Sequence, residues 1–317
     1  MGVDRLKQVL CKIFKKNTLV SDYNGKTLGV DASNWIHTIF TDEKIIDPFT
    51  FFLNKAKKLV LQGVDLVFVF DGNVFPLKKQ HERIKKTTEQ ESQGRLIPST
   101  TVRDLVVLLR EAKMQCIVAP YEADAQLAHL ERTEVIDAVI TEDSDLILYG
   151  CKKILFNLNK KGEGKADEFC SQRLYCCAKS DLRGMSPDEF VRMGILIGCD
   201  YVKRLPKLRP ETVYKLFKQH GTFEAVKAKI VSNPSSEIPE NYWRDVRRAE
   251  LVFKHYIVYD MRKKRRVHLM PIDDSVVQEM GDVSFLGSLE ETEESFSAEP
   301  TVPKANRSRG KKRKVRK

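Results

Sequence analysis

Four acids in two pairs set the chemistry this chain can do. Glu122 and Asp124 stand two apart, and so do Asp143 and Asp145. Asp31 closes the apolar run LGVD, Asp71 closes LVFVFD, and Asp200 lies just beyond Gly198. An open parallel α/β sheet brings its strand ends to one edge, where binding sites form. Carboxylates gathered on one edge repel one another and stay ionised together only with cations among them. The donors are all oxygen, with no His or Cys close in sequence, so the expected ions are magnesium or manganese rather than zinc. Seven acids exceed what one ion needs. Two ions about 3.5–4 Å apart can hold both the attacking and the leaving oxygen of a phosphodiester displacement. Each acid taken singly also reads as a helix cap or turn former.

Hydrophobic patterning supplies the elements that would position them. Lys26 to Asp31, Val64 to Phe70, Gln115 to Ala119, Asp137 to Thr141 and Lys153 to Leu158 read as strands. The Val64 to Phe70 run is apolar almost throughout, as in a buried parallel sheet. Ser33 to Phe40, Pro48 to Gln62, Ser99 to Lys113 and Ala123 to Arg132 read as helices, the second stopped by Gly63. Residues 2 to 16 carry Val3, Leu6, Val9, Leu10, Ile13 and Phe14 at helical spacing. Ser186-Pro187-Asp188-Glu189 has the form of a helix start, with Ser as cap, Pro in the first turn and Glu reaching back. That helix delivers Asp200. Glu211 to His220, Phe223 to Ile230 and Pro239 to Tyr259 follow as helices. The pattern predicts an α/β fold: a mostly parallel central sheet flanked by helices, with a helical cap and a helical C-terminal region.

Three regions are expected. Residues 1–98 include a basic cap at about 76–98, residues 99–273 include a helical part at about 186–260, and residues 274–317 form a disordered tail. The chain of 317 residues carries a net charge of +11, yet Lys304 to Lys317 hold nine Lys or Arg and no acid, so the body is almost neutral. Clustered bases of this kind suit a polyanion. The seven cysteines form no C-x-x-C, and neither a disulfide framework nor a zinc site is expected. No secretory leader and no apolar run long enough to span a bilayer is read, so no membrane partner is expected.

Lys78, Lys79, Arg83, Lys85 and Lys86 fall within nine residues of the cap. Lys78 and Lys85 are seven apart, on one face if helical, where they could neutralise charge on a phosphate. On composition alone a solvated basic face is the commoner reading.

VDASNWIH (30–37), FVFDGNVFPLKK (68–79), VAPYEADAQLAHL (118–130), ITEDSDLILYGCKKIL (140–155) and ILIGCDYV (195–202) resemble, in order, the motifs of the structure-specific 5′-nuclease superfamily. The wording YEADAQL, TEDSDL and GCKK is most similar to its exonuclease 1 branch, and the resemblance spans about residues 1–273. It implies a PIN-like 5′-nuclease core with a helix-two-turn-helix-like C-terminal region. It also implies 5′ to 3′ exonuclease action on duplex DNA with 5′-flap cleavage, dependent on two magnesium ions, in DNA repair. Asp31, Asp71, Glu122, Asp124, Asp143, Asp145 and Asp200 match the family's metal ligands, and Lys78 its phosphate-contacting lysine. Lys85 stands where the family has Arg, without that residue's bidentate fork. Gly2 matches the residue that becomes the N-terminus near the site, and His37 one that contacts DNA near the branch point.

Ser33 replaces an aromatic. Lys207-Leu208-Arg209-Pro210 replaces a Gly-x-Gly hairpin that holds duplex backbone with potassium. A potassium site there is left open, and Lys203, Arg204, Lys207 and Arg209 stand as direct phosphate contacts beside Lys79 and Arg83 of the cap. The implied partners are DNA ends, nicks, gaps and 5′ flaps, and mismatch-repair proteins. The tail GKKRKVRK reads as a nuclear localisation signal or as a nonspecific nucleic-acid tail. Flap endonuclease as the main activity, a non-catalytic DNA-junction binder and a small-ester phosphatase remain the alternatives.

Overall fold

The computed structural model describes residues 3, 5–77, 97–98, 100–159, 161, 164–176, 182, 184–233 and 237–290. Lys78, Lys79, Arg83, Lys85, Gly2 and the basic end of the tail lie outside them. Among the described residues seven strands form one sheet: β1 (Lys15–Leu19), β2 (Thr27–Asp31), β3 (Asp65–Phe70), β4 (Gln115–Val118), β5 (Ala138–Ile140), β6 (Lys153–Phe156) and β7 (Lys165–Cys170). Their spatial order is β1-β7-β6-β5-β2-β3-β4. The five strands from β6 to β4 are parallel, and β7 and β1 complete the sheet antiparallel. The mostly parallel sheet expected from the sequence is therefore present.

Alternation along β3 shows why both faces are covered. Leu66, Phe68 and Phe70 join Trp35, Phe52 and Leu105 in one core, whereas Val67 and Val69 face a second core with Leu127, Ile136 and Phe190. The first core lies under α2 (Ala32–Phe40), α3 (Pro48–Val60) and α4 (Thr101–Glu111). The second lies under α5 (Ala123–Arg132), α8 (Pro187–Ile197) and α11 (Tyr242–His255), counting α1 (Leu6–Val9), α6 (Asp145–Leu148) and α7 (Ser171–Cys176) in chain order. Gly29 in β2 allows α5 to approach: a Cβ there would stand 2.7 Å from Leu127 and 2.5 Å from Ile136. Next come α9 (Pro210–His220) and α10 (Phe223–Val231), then a hairpin of β8 (Ile257–Asp260) and β9 (Arg265–His268), and α12 (Asp274–Met280). Among the described residues no helix is long and apolar enough to cross a membrane.

The structure corrects four expectations. The first helix is short, Leu6–Val9, and the chain then turns into β1, whose exposed lysines hide a strand from periodicity. The helix expected to reach Tyr259 ends at His255, and Ile257–Asp260 instead pairs with Arg265–His268 as a hairpin. Residues 274–290 are ordered rather than part of a tail: Phe285 and Leu286 are buried, and the Ser288 amide donates to the Tyr121 hydroxyl at 2.9 Å. Ser186 does cap α8, but Glu189 does not reach back to it. Its carboxylate accepts from the Phe223 amide at 2.6 Å and so ties α8 to α10.

Candidate active site

Register brings the acids together. Asp31 lies opposite Val69 in β3, and the next pair along β2 and β5, Val30 with Ile140, puts Thr141 beside Asp31. The Thr141 hydroxyl donates to Asp31 Oδ2 at 2.7 Å, and the Asn34 amide donates to Oδ1 at 3.0 Å, so Asp31 caps α2 as well. Thr141 also accepts from the Asp143 amide at 2.9 Å, and Asp143 Oδ1 accepts from the Asp145 amide at 2.8 Å. These bonds curl the chain after β5 so that both acids turn back to the edge.

Asp71 and Glu122 meet through a tight backbone crossing. The Gly72 amide donates to the Tyr121 carbonyl at 2.6 Å, and a Cβ on Gly72 would fall 2.0 Å from the Ala119 carbonyl oxygen. Only glycine permits that approach. As a result Asp71 Oδ1 accepts from the Ala123 amide at 2.7 Å, so one strand's acid caps the helix that carries Asp124. The Asp71 amide donates to Ser33 Oγ at 3.3 Å, which gives Ser33 a role on the edge in place of stacking. Glu122 Oε2 accepts from the hydroxyls of Tyr201 at 2.8 Å and Tyr256 at 2.9 Å. Tyr201 spends its one proton there, so Tyr149, 2.8 Å away, donates to Tyr201.

Burial and mutual repulsion act on the cluster. Burial pushes the Asp31 carboxyl up to about 7, with Asp71 and Asp143 adding to the rise against the hydrogen bonds from Asn34 and Thr141. Burial likewise raises Asp124, and Asp143, Asp31, Glu122 and Asp145 all push the same way. Six of the seven predicted acids thus share one electrostatic neighbourhood. Asp200 is exposed and adjoins it through Cys199, whose thiol burial and Asp145 push up to about 12.

A divalent cation would suit this donor set: hard oxygens, several too poorly solvated to ionise together without one. Yet among the described residues no three His, Cys, Asp or Glu side chains are arranged as a ready coordination shell. Oxygens of Asp31, Asp71, Glu122 and Asp143 accept from amides and hydroxyls, and the edge is a cluster of fitting chemistry.

The XPG N-terminal domain model matches residues 1–93 and the XPG I-region model residues 113–200, together more than half of the chain. The chain belongs to the XPG family. Exonuclease 1 of Arabidopsis thaliana is 29% identical over 96% of this chain and 46% of its own length. Exodeoxyribonuclease 1 of Schizosaccharomyces pombe is 30% identical over 91% of this chain and 54% of its own. This chain therefore spans about half the length of these curated relatives. A solved structure of the catalytic core of Rad2 in complex with DNA substrate shares the fold, with TM-score 0.60 and 23% identity over 79% of each chain.

The basic residues of this XPG-family chain divide. Arg204 and Arg209 line a hollow of about 630 Å³ with Arg5 and Lys215, where Arg5 pairs with Glu211 at 3.2 Å. Lys203 is exposed nearby in sequence, and His37 is exposed on α2. Lys207 instead pairs with Glu237 at 2.8 Å on a different, more apolar hollow. Sequence reasoning missed Arg5, the N-cap of α1, and Lys215 of α9, which carry no local signal. It also missed how the N-terminal segment docks: Lys7 Nζ donates to Glu142 at 3.1 Å, and Ser144 Oγ donates to the Val3 carbonyl at 3.2 Å. Val3, Arg5 and Lys7 thus link the acidic edge on one side to the basic hollow on the other.

Proposed function

We propose that this XPG-family chain is a structure-specific 5′ to 3′ exonuclease of duplex DNA that also cleaves 5′ flaps, with divalent magnesium or manganese held by the acidic edge. The observation that carries the reading is the gathering of Asp31, Asp71, Glu122, Asp124, Asp143 and Asp145 from four separate chain segments at one sheet edge. The names of its relatives agree with it.

Asp31, Asp124, Asp143 and Asp145 would hold one part of the ion pair, and Asp71, Glu122 and Asp200 complete the set. Bound there, such ions supply Lewis-acid polarisation of a phosphodiester and lower the pKa of an attacking water. The protein's own contribution is placement. Thr141, Asn34 and the Ala123 amide fix carboxylate orientations, and the tyrosines fix Glu122. Lys78, directly after the buried Leu77, and Lys85 would offset negative charge building on the phosphate. Arg5, Arg204, Arg209 and Lys215 would grip duplex phosphates at the hollow, with Lys203, His37, Lys79 and Arg83 as further contacts. The tail GKKRKVRK is proposed as a nuclear import signal, and mismatch-repair proteins as partners.

End-labelled recessed duplex and 5′-flap substrates, digested side by side with and without magnesium, test the reading. Short 5′ products that need magnesium are expected. No cleavage of either substrate at any magnesium concentration, with DNA still bound, would point to a junction-binding protein instead.

A further inference from the structure

We infer that Tyr256 is a positioning residue of the acidic edge, and that it ties the seating of the chain leading into Lys78 to the orientation of Glu122. The inference rests on the reading of that edge as a metal site.

Tyr256 is fully buried at the end of α11. It is engaged at both of its ends. The hydroxyl donates to Glu122 Oε2 at 2.9 Å. The ring face lies on Phe75, with centroids 4.3 Å apart and planes 17° from parallel. The other aromatic pairs among the described residues are tilted or edge-on, so this is the one stacked flat. Phe75 is itself buried and stands three residues before Lys78. It also meets the Tyr201 ring edge-on at 5.9 Å, and Tyr201 donates to the same Glu122 oxygen at 2.8 Å. One phenylalanine thus touches both tyrosines that hold one carboxylate.

Simple core packing would need the rings buried and the hydroxyls satisfied. It would not need two phenols from separate segments to converge on one oxygen of an acid at the edge. Hydroxyls that donate to an ionised carboxylate hold it more firmly than neutral partners do. Groups that orient metal-binding carboxylates in this way control affinity for the ion. A tyrosine is also a rigid lever. A shift of Phe75 against its face swings the hydroxyl at the far end of the ring, and with it Glu122. Phe75 and the acid therefore share a mechanical element.

The test uses the full chain without DNA and titrates manganese by the paramagnetic resonance signal of the free ion. Tyr256→Phe removes one oxygen and keeps the ring, and the expected loss of manganese affinity is about 10-fold, with the metal-free melting temperature little changed. Phe75→Met keeps volume but not stacking, and should lose a similar factor; Phe75→Trp, which can stack, should restore it. The double variant Tyr256→Phe/Phe75→Met should lose no more than either single change, because both act through one hydroxyl. Wild-type affinity in Tyr256→Phe, or a Phe75→Met variant that melts earlier yet binds manganese normally, would overturn the inference while leaving the metal site standing. Absence of manganese binding in the unaltered protein would instead overturn the reading beneath it.

Discussion

The acidic edge and the basic hollow differ in how the fold makes them. The edge is built from strand ends locked by register; Asp31, Asp143 and Asp145 are buried there, and Asp31 and Asp143 are bonded to amides and a hydroxyl. The hollow is built from side chains of α1, the loop before α9 and α9 itself, largely solvated and held by an exposed Arg5–Glu211 pair. The first arrangement gives fixed geometry at a cost in electrostatic strain. The second gives a diffuse positive field that tolerates displacement. Chemistry needs the former and grip on a polymer the latter. Exchange of roles between them is the way to break this comparison.

The largest effect should come from the edge. Asp143→Ala removes an acid and also the acceptor of the Asp145 amide. Cleavage should fall by more than about 100-fold, the upper end for loss of a merely supporting group. Duplex affinity, measured by anisotropy, should stay within about twofold, since the edge is not where the phosphates are gripped. A variant that cuts normally would remove Asp143 from the site.

The hollow should show the inverse pattern. Arg204→Ala combined with Arg209→Ala should weaken duplex binding about 10-fold and lower the slope of log affinity against log salt by about two. The rate at saturating DNA should hardly move. A fall in that rate with affinity intact would mean that the hollow positions the reacting phosphate.

Electrostatic strain at the edge predicts a stability signature. The folded Asp31 carboxyl sits at about 7 against an ordinary 3.8. A raised folded value stabilises the fold fully below the ordinary value, and the stabilisation is lost as pH rises to about 7. Metal-free protein should therefore melt lower at pH 8 than at pH 5, and manganese should recover the difference. Asp124→Asn, which removes a charge that Asp143, Asp31, Glu122 and Asp145 repel, should raise the metal-free melting temperature at pH 8 by roughly 2–4 °C. A lower melting temperature at pH 8 in Asp124→Asn would show that the carboxylate is compensated without a cation.

The same contrast explains what could be read from the sequence. Asp31 and Asp71 each end an apolar run, so strand and acid announce one another, and α5 was legible to the residue as Ala123–Arg132. β1 was not, because three of its five residues are lysine or asparagine on an exposed edge. Nothing local in the sequence marks the tyrosines around Glu122, since a ring in a core looks the same there as one that also holds an acid. Arg5 lies some two hundred residues from Glu211, and such pairings exist only after folding. The hydrogen bonds that orient the acids were equally invisible, because their donors come from other segments of the chain.

The smallest effect should come from Lys207, and it tests whether sequence proximity to the hollow means membership in it. Its ammonium reaches Glu237, and both side chains are mostly in solvent. An exposed pair of this kind contributes little to stability because water screens it. Lys207→Ala should leave the melting temperature unchanged. If Lys207 also contacts no phosphate, the salt slope should fall by well under one, against about two for the Arg204 and Arg209 double variant. A fall of a full unit would mean that DNA draws Lys207 away from Glu237. In that case Glu237→Gln, which frees the lysine beforehand, should tighten binding at low salt.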